Sequence, residues 1–454
     1  MTPKVSVAQR RAWLAARHRL ATPAATVTGA TETMVALHAT DPVTVYLAAR
    51  ARVRSATTET VDEALYAERR IVRMLGMRRT VFVVPAPLLP VVQRACTDDV
   101  ARQMRGRLER DLSNAGIGGT DAAAWLRDTE AGVLRALAAR GSATGAQLAA
   151  DEPRLRTQLV YAVGKNYGGP TNITSRVLVL IAAEGHMIRG HRRGGWSSGQ
   201  FEWFPARAWL AGADDRAGAA GGAANETGAN QGGARADDRA GAASGAARES
   251  GADPGRAGAG GAGSAPGQAR LDAGPGQAGL DAAAARAELA RRWLRAFGPA
   301  PASDLQWWAG WTGAQAKAAL AALPVREVDL DGQPGVLLAD DELPDDAVGP
   351  AASLLPALDP TPMGWQARDW YLGPHGPALF DRTGNIGPTV WWEGRIVGGW
   401  AQRPSGEVAW RLLEDVGSDA TAAVETEAAQ LESWLGPARI TPRFRTPLER
   451  ELSA

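Results

Sequence analysis

Apolar residues recur along this chain at two spacings, one helical and one alternating, and the order in which they appear sketches its architecture. Residues 7–20 are amphipathic at helical spacing. Residues 61–75 place Val61, Leu65, Ile71, Val72 and Leu75 near the same spacing, which predicts a second helix, and the β-branched run 80–84 before Pro85 predicts a strand. Helices are expected again over 121–140, 144–150 and 174–184. Residues 186–189 and 200–204 then read as the arms of a hairpin whose tip, 190–196, carries His191, Arg192, Arg193 and Trp196. Further on, 282–297 forms a helix stopped by Gly298-Pro299, Ser303 or Asp304 can cap a short helix through Trp308, and Thr312 can cap another through Leu323. Short strand-like runs follow at 325–330, 335–338, 389–392, 395–400 and 408–412, with a tight hairpin at 392–396, and a last helix covers 420–435.

Between these patterned regions, residues 211–282 hold no aromatic residue and are dominated by Ala, Gly and Asp. Too little apolar surface is present to offset the entropy of ordering, so a disordered linker is expected there. The block 213–220 recurs at 236–243, and 267–273 nearly recurs at 276–282, as slippage of a repetitive coding stretch would produce.

A chain of 454 residues is too long for one core and should form several units. Its formal net charge of +1 hides a segregation, since residues 1–210 hold 29 Lys and Arg against 17 Asp and Glu, and the remainder holds 21 against 32. A basic first half favours a polyanionic partner, because each neutralised phosphate releases condensed counterions. The single cysteine, Cys96, excludes an internal disulfide, and no Cys/His spacing suits a structural zinc, so neither metal nor cofactor is expected. With no apolar leader and no run of about 18 apolar residues, we expect no membrane association and a cytoplasmic, nucleoid-accessible location. Of 16 tryptophans, 11 follow the linker. Trp307, Trp308, Trp311, Trp391, Trp392 and Trp400 sit at core-like spacings, although base stacking is another use for an indole.

The run from Leu37 through His38, Ala39, Thr40, Asp41 and Pro42 to Arg50, leading into Leu65-Tyr66 and Met74-Leu75-Gly76-Met77-Arg78-Arg79-Thr80, resembles the winged-helix DNA glycosylases of the AlkZ/YcaQ type. Residues 354–360 and 370–373 match the same family, so the resemblance spans nearly everything but the linker. The family carries Gln-x-Gln or Gln-x-Asp where this chain has His38 and Thr40. The resemblance implies that such a pair holds a water near the sugar of an extruded nucleotide. His38 would then orient that water and Thr40 would hydrogen-bond to it or to the backbone, although Thr is shorter than Gln and uncharged. Asp41 can act as a carboxylate facing positive charge on the sugar, or, with Pro42 behind it, as an ordinary helix cap. His38 has an equally ordinary reading, as a packed histidine satisfied by a backbone carbonyl.

The expected architecture is therefore α+β. Tandem winged-helix (helix-turn-helix) units occupy 1–110, 111–210 and 283–330, a disordered linker 211–282, and a small β-barrel 331–454. The expected partner of this monomer is double-stranded DNA, alkylated or crosslinked, with His38, Thr40 and Asp41 at the lesion. Arg50, Arg78, Arg79, His191, Arg192 and Arg193 are the expected DNA contacts. The resemblance implies monofunctional excision of the damaged base. A non-catalytic DNA-binding regulator on the same scaffold is the alternative, and a protein-interaction scaffold would require that the basic half bind no DNA.

Overall fold

Capping decides most of the helix starts. In the computed structural model, which describes residues 2–161, 169–211, 280–342 and 351–454, the first helix, α1 (Val7–Arg17), begins with a reciprocal box between Ser6 and Gln9. After α2 (Val27–Thr33), the two-residue strand β1 (Leu37–His38) turns at Asp41 into α3 (Pro42–Arg50). A short helix α4 (Thr58–Asp62) widens into one π-helical turn over Glu63–Ala67. There the helix expected over 61–75 ends, because Arg69 takes a left-handed φ of 59° and Ile71–Leu75 becomes strand β2. Its apolar spacing suited both periods, and pairing with β3 (Val81–Pro85) settled the matter. The resulting antiparallel sheet has the order β1-β3-β2.

Helices α5 (Leu89–Val92) and α6 (Asp98–Asn114) lead into a second helical group: α7 (Ala122–Arg140), α8 (Gly145–Asp151) and α9 (Thr174–Ala183). Asp121 caps α7, and a Thr144–Gln147 box caps α8. Strands β4 (Gln158–Tyr161) and β5 (Gly169–Asn172) pair beside them. The expected hairpin forms from β6 (Met187–Arg192) and β7 (Phe201–Pro205), with a register shift between Arg189 and Arg192. Leu112, Leu126, Val133, Leu148, Val177, Ile181 and Trp203 form this group's own core.

The segment expected to be a linker lies almost entirely outside the described residues. After it, α10 (Ala282–Phe297), α11 (Ala302–Ala309) and α12 (Gly313–Ala321) share a hydrophobic core with the first sheet, with the Thr312–Gln315 box at the start of α12. Neither Ser303 nor Asp304 caps α11; Pro301 precedes it, and the Asp304 carboxylate instead accepts from the amides of Gln366 and Ala367. Strands β8 (Val325–Leu330) and β9 (Gln333–Leu338) meet at Asp331-Gly332, and β11 (Thr389–Trp392) and β12 (Arg395–Gln402) meet at Glu393-Gly394. Both turns hold two positive φ angles, the geometry that suits a two-residue hairpin. The expected barrel does not close. β10 (Ala352–Leu355), β11, β12 and β13 (Val408–Leu412) form an open four-stranded sheet, and α13 (Gly417–Leu435) packs against it through Val424, Ala428, Leu431 and Leu435. A covering helix buries that sheet's face without any need for closure. A final helix, α14 (Pro447–Leu452), lies against β12. Trp308, Trp311, Trp391, Trp392 and Trp400 are all buried, the core role their spacing favoured.

One ion pair joins the front of the chain to its rear. Arg52, just after α3, donates to both oxygens of Asp359 at 2.8 and 2.6 Å, to the hydroxyl of Thr361 at 2.7 Å and to the carbonyl of Ala48 at 2.9 Å, and both charged side chains are 0% exposed. Removing one member should leave an uncompensated buried charge. We expect Asp359→Ala to cost about 3–5 kcal/mol in urea unfolding, and Arg52→Met with Asp359→Leu to recover most of that loss.

Candidate functional site

The turn from β1 into α3 carries the three residues expected at the lesion, and it is held by segments distant in sequence. His38 pairs with Phe82 in β3, and the Ala39 amide donates to Val81 at 2.8 Å. Asp41 Oδ1 accepts from the Val43 amide at 3.2 Å, which is the cap role, while Oδ2 accepts from the amide of Arg443 at 3.0 Å. Thr44 donates to the Ala357 carbonyl at 2.9 Å, and the Arg443 guanidinium reaches the carbonyl of half-buried Thr40 at 3.4 Å. Burial pushes the Asp41 carboxyl up from its ordinary range, against those two amides and the charges of Arg443 and Arg192.

His38 has a different environment. The register puts His38, Phe82 and Met74 in one row across the sheet, and Leu37, Val83 and Arg73 in the next, so His38 and Arg73 point to opposite faces. The His38 ring is 6% exposed, meets Phe82 edge-on at 5.1 Å, and its Nδ1 has no hydrogen-bond partner. The backbone carbonyl expected to satisfy that nitrogen is not supplied. Burial, with the nearby Arg78 charge second, pushes the imidazole down to about 3, so it is neutral at physiological pH.

Arg78 belongs to this face. It and Arg79 sit in a tight turn with φ of 52° and 58°, Arg78 lies 4.0 Å over the half-buried ring of Trp307, and Arg368 approaches the same ring at 5.2 Å. Burial, and then the Arg368 charge, lower Arg78 to about 10. Arg79 is exposed. Arg50 pairs with Glu427 of α13.

The other face gathers guanidinium groups. Arg73 in β2 is 6% exposed, and its Nε and Nη2 have no partner. Arg189 lies over Phe201 and Trp203 at 4.7 and 5.4 Å, and is lowered to about 10 by burial first and then by the charges of Arg73 and Arg443. Arg192 lies 4.8 Å over Tyr46 and donates to the Tyr66 hydroxyl at 3.4 Å, while its Nε and Nη1 are unpartnered. Exposed His191 packs against Tyr66, Trp209 and Phe204, and exposed Arg193 lies 3.8 Å from Glu202. Trp196, at the hairpin tip, reaches Tyr46 at 5.4 Å and Trp434 at 5.6 Å. Asp41 and Arg192 are thus brought together, and His38 and Arg78 are brought together on the opposite face.

Arg73, Arg189, Arg443 and Tyr46 were missed by sequence reasoning. An arginine inside the apolar run Ile71–Leu75 was the one available signal. Nothing local connects Arg443 to a turn about 400 residues earlier. A cleft of about 20 Å³, lined by Asp41, Thr44, Leu47, Trp400 and Gln402 among others, adjoins the turn and has room for one water. Among the described residues no group of three or more His, Cys, Asp or Glu is placed to hold a metal ion, and no helix is long and apolar enough to cross a membrane.

The pH dependence of stability tests the burial of His38. Its ring is neutral in the fold down to about pH 3 and titrates near 6.5 when unfolded, so protons favour the unfolded chain increasingly as pH falls below 6.5. Replacing His38 by Gln should remove about 2 kcal/mol of the stability lost between roughly pH 7 and 5, read by urea unfolding at both. An unchanged pH profile would place the ring in water.

The profile of the family described as DNA glycosylase AlkZ-like matches residues 31–434. No match was found among curated proteins. Among solved structures, the DNA glycosylase AlkZ of Streptomyces sahachiroi is similar, with a TM-score of 0.64 and 18% identity, covering 97% of this chain and 99% of that one. At that identity the likeness speaks for the fold, and the family profile, which spans the turn, both faces of the sheet and the hairpin, places the chain in the AlkZ-like DNA glycosylase family.

Proposed function

We propose that this protein grips duplex DNA as a set of winged-helix units and hydrolyses the N-glycosidic bond of an alkylated or crosslinked base at the turn His38–Asp41. The observation that carries the reading is Asp41, a carboxylate held by two amides between the side chains of Arg192 and Arg443 on a basic face.

The chemistry asks little more of the site. An N7-alkylated purine is already cationic, so it departs as a neutral base without a proton from the protein. What must be stabilised is positive charge developing on the sugar, and a preorganised carboxylate does that. A water completes the reaction, bonding to the anomeric carbon as the C–N bond gives its electron pair to the base and releasing one proton to solvent. The Thr40 hydroxyl at the rim, beside Asp41 on the same turn, is suited to hold that water. Arg78, Arg79, Arg192 and Arg193 are the side chains we assign to backbone phosphates, with His191 beside them on the hairpin. Arg50, paired with Glu427, has less to offer.

A second reading, binding without hydrolysis, is favoured by one observation: the cleft beside Asp41, about 20 Å³, is too small for a base, so an extruded nucleotide must displace protein to enter.

Purified protein incubated with an N7-methylguanine duplex separates the two. Alkali-labile sites are expected with the native protein. Asp41→Asn, which keeps a competent helix cap, should lower their rate about 100-fold or more while duplex affinity stays within a few-fold. No strand cleavage by the native protein across several alkyl adducts, with retardation of the same duplexes intact, would select the non-catalytic binder.

A further inference from the structure

An arginine buried without a partner is costly. Water has been stripped from its charge, and nothing in the protein replaces that water. Arg73 is in this position, with 6% exposure and two unpartnered nitrogens. Its surroundings add to the cost, because β6 packs against β2 and brings Arg189 near, and Arg443 approaches Arg189 from the C-terminal segment. Arg192, three residues further along β6, keeps two further nitrogens unpartnered. Among the described residues none of these four guanidinium groups forms an ion pair with a carboxylate. Asp41 is the acidic group that feels Arg192 and Arg443, and its oxygens already accept from two backbone amides.

We propose that Arg73, Arg189, Arg192 and Arg443 form an anion pocket that takes one phosphate group, either a phosphate of the DNA strand next to the extruded nucleotide or free inorganic phosphate. A doubly or singly charged tetrahedral oxyanion supplies several acceptors, which matches donors brought together from β2, β6 and the C-terminal segment. The aromatic floor of Phe201, Trp203 and Tyr46 holds two of the guanidinium planes by their faces and leaves their edges for the ligand. Such a pocket differs from exposed Arg193 at the hairpin tip. A phosphate on the surface of an undistorted duplex cannot reach Arg73, whereas one swung inward with an extruded nucleotide can. In that form the assignment rests on the excision reading; as a site for free phosphate it does not.

The test uses the full chain and inorganic phosphate, with chloride balancing ionic strength. Roughly 10 mM phosphate should raise the melting temperature of the native protein by about 3 °C. Without phosphate, Arg73→Met should melt higher than the native chain, since it deletes an unpaired buried charge, and it should lose the phosphate response. Exposed Arg443→Gln should weaken that response. No shift beyond the chloride control, or an Arg73→Met protein that melts lower and still responds, overturns the pocket. A duplex bearing an abasic-site analogue then separates the two sources. Replacing the single phosphate 5′ to the analogue by a neutral methylphosphonate should weaken native binding about tenfold and leave Arg73→Met binding unchanged. If methylphosphonate has no effect while inorganic phosphate still stabilises, the pocket belongs to the free anion. Absence of alkali-labile sites with the phosphate shift intact would remove the excision reading and leave the pocket standing.

Discussion

The buried pair of Arg52 and Asp359 is the constraint on which the arrangement of the turn depends. Two charges with no exposure are tolerated because nearly every donor and acceptor around them is used. Thr361 accepts from Arg52 through its hydroxyl and donates its amide to Asp359 at 2.9 Å. His18 lies 2.9 Å from the same hydroxyl through Nδ1 and 3.1 Å from the Ala296 carbonyl through Nε2. A carbonyl can only accept, so Nε2 carries the proton and Nδ1 accepts from Thr361. Burial first and Arg52 second hold that imidazole far below its ordinary range, which keeps it neutral as the network requires. The chain of bonds ties α1, the end of α3, α10 and the C-terminal segment into one unit.

That unit fixes α3 at both ends. Its C-terminus is held through Arg52, and its N-terminus through Asp41 and the Arg443 amide, so the same rear portion of the chain sets both. The hairpin closes a third side, with Trp196 between Tyr46 and Trp434, whose indole in turn donates to the Ala56 carbonyl at 2.7 Å. Three segments far apart in sequence thus define one site, which makes its geometry a property of the whole fold. The charge distribution follows the same logic. Many arginines of the basic front half are neutralised where they stand: Arg105 by Glu130 and Glu184, Arg140 by Asp151, Arg154 by Asp128 and Glu152, and Arg176 by Asp111. Uncompensated positive charge is what remains beside the turn.

Caps and periods were legible in the sequence, because they are local. Asp41-Pro42, Asp121, Thr144 and Thr312 start helices where their side chains can reach first-turn amides. The stretch 61–75 was misread because Ile71, Val72, Met74 and Leu75 satisfy either period, and the left-handed Arg69 that breaks the helix leaves no compositional mark. The barrel was misread because a count of strands does not say whether the last one finds the first; α13 covers the sheet instead. At the site, Asp41 and Arg192 were visible as candidates from the turn and the hairpin. Arg443 was not, since only the tertiary fold brings residue 443 to residue 41. His38 was visible, but its separation from Arg73 onto the opposite face follows from the register, which sequence does not state.

Arg52 and Arg73 show that the unpartnered state of the second is not a by-product of an arginine-rich composition. Both are buried, and both lie in the first hundred residues. Around Arg52 the fold supplies a carboxylate, a hydroxyl and a carbonyl and leaves only Nε without a partner; around Arg73 it supplies other arginines and the rings beneath them. A chain able to assemble the first environment from residues some 300 positions apart had the means to build the second in the same way. Stability alone would favour an acidic or apolar neighbour in β6, within reach of Arg73. The repeated placement of like charge on one face is therefore better explained by something that binds there than by anything the unliganded fold gains.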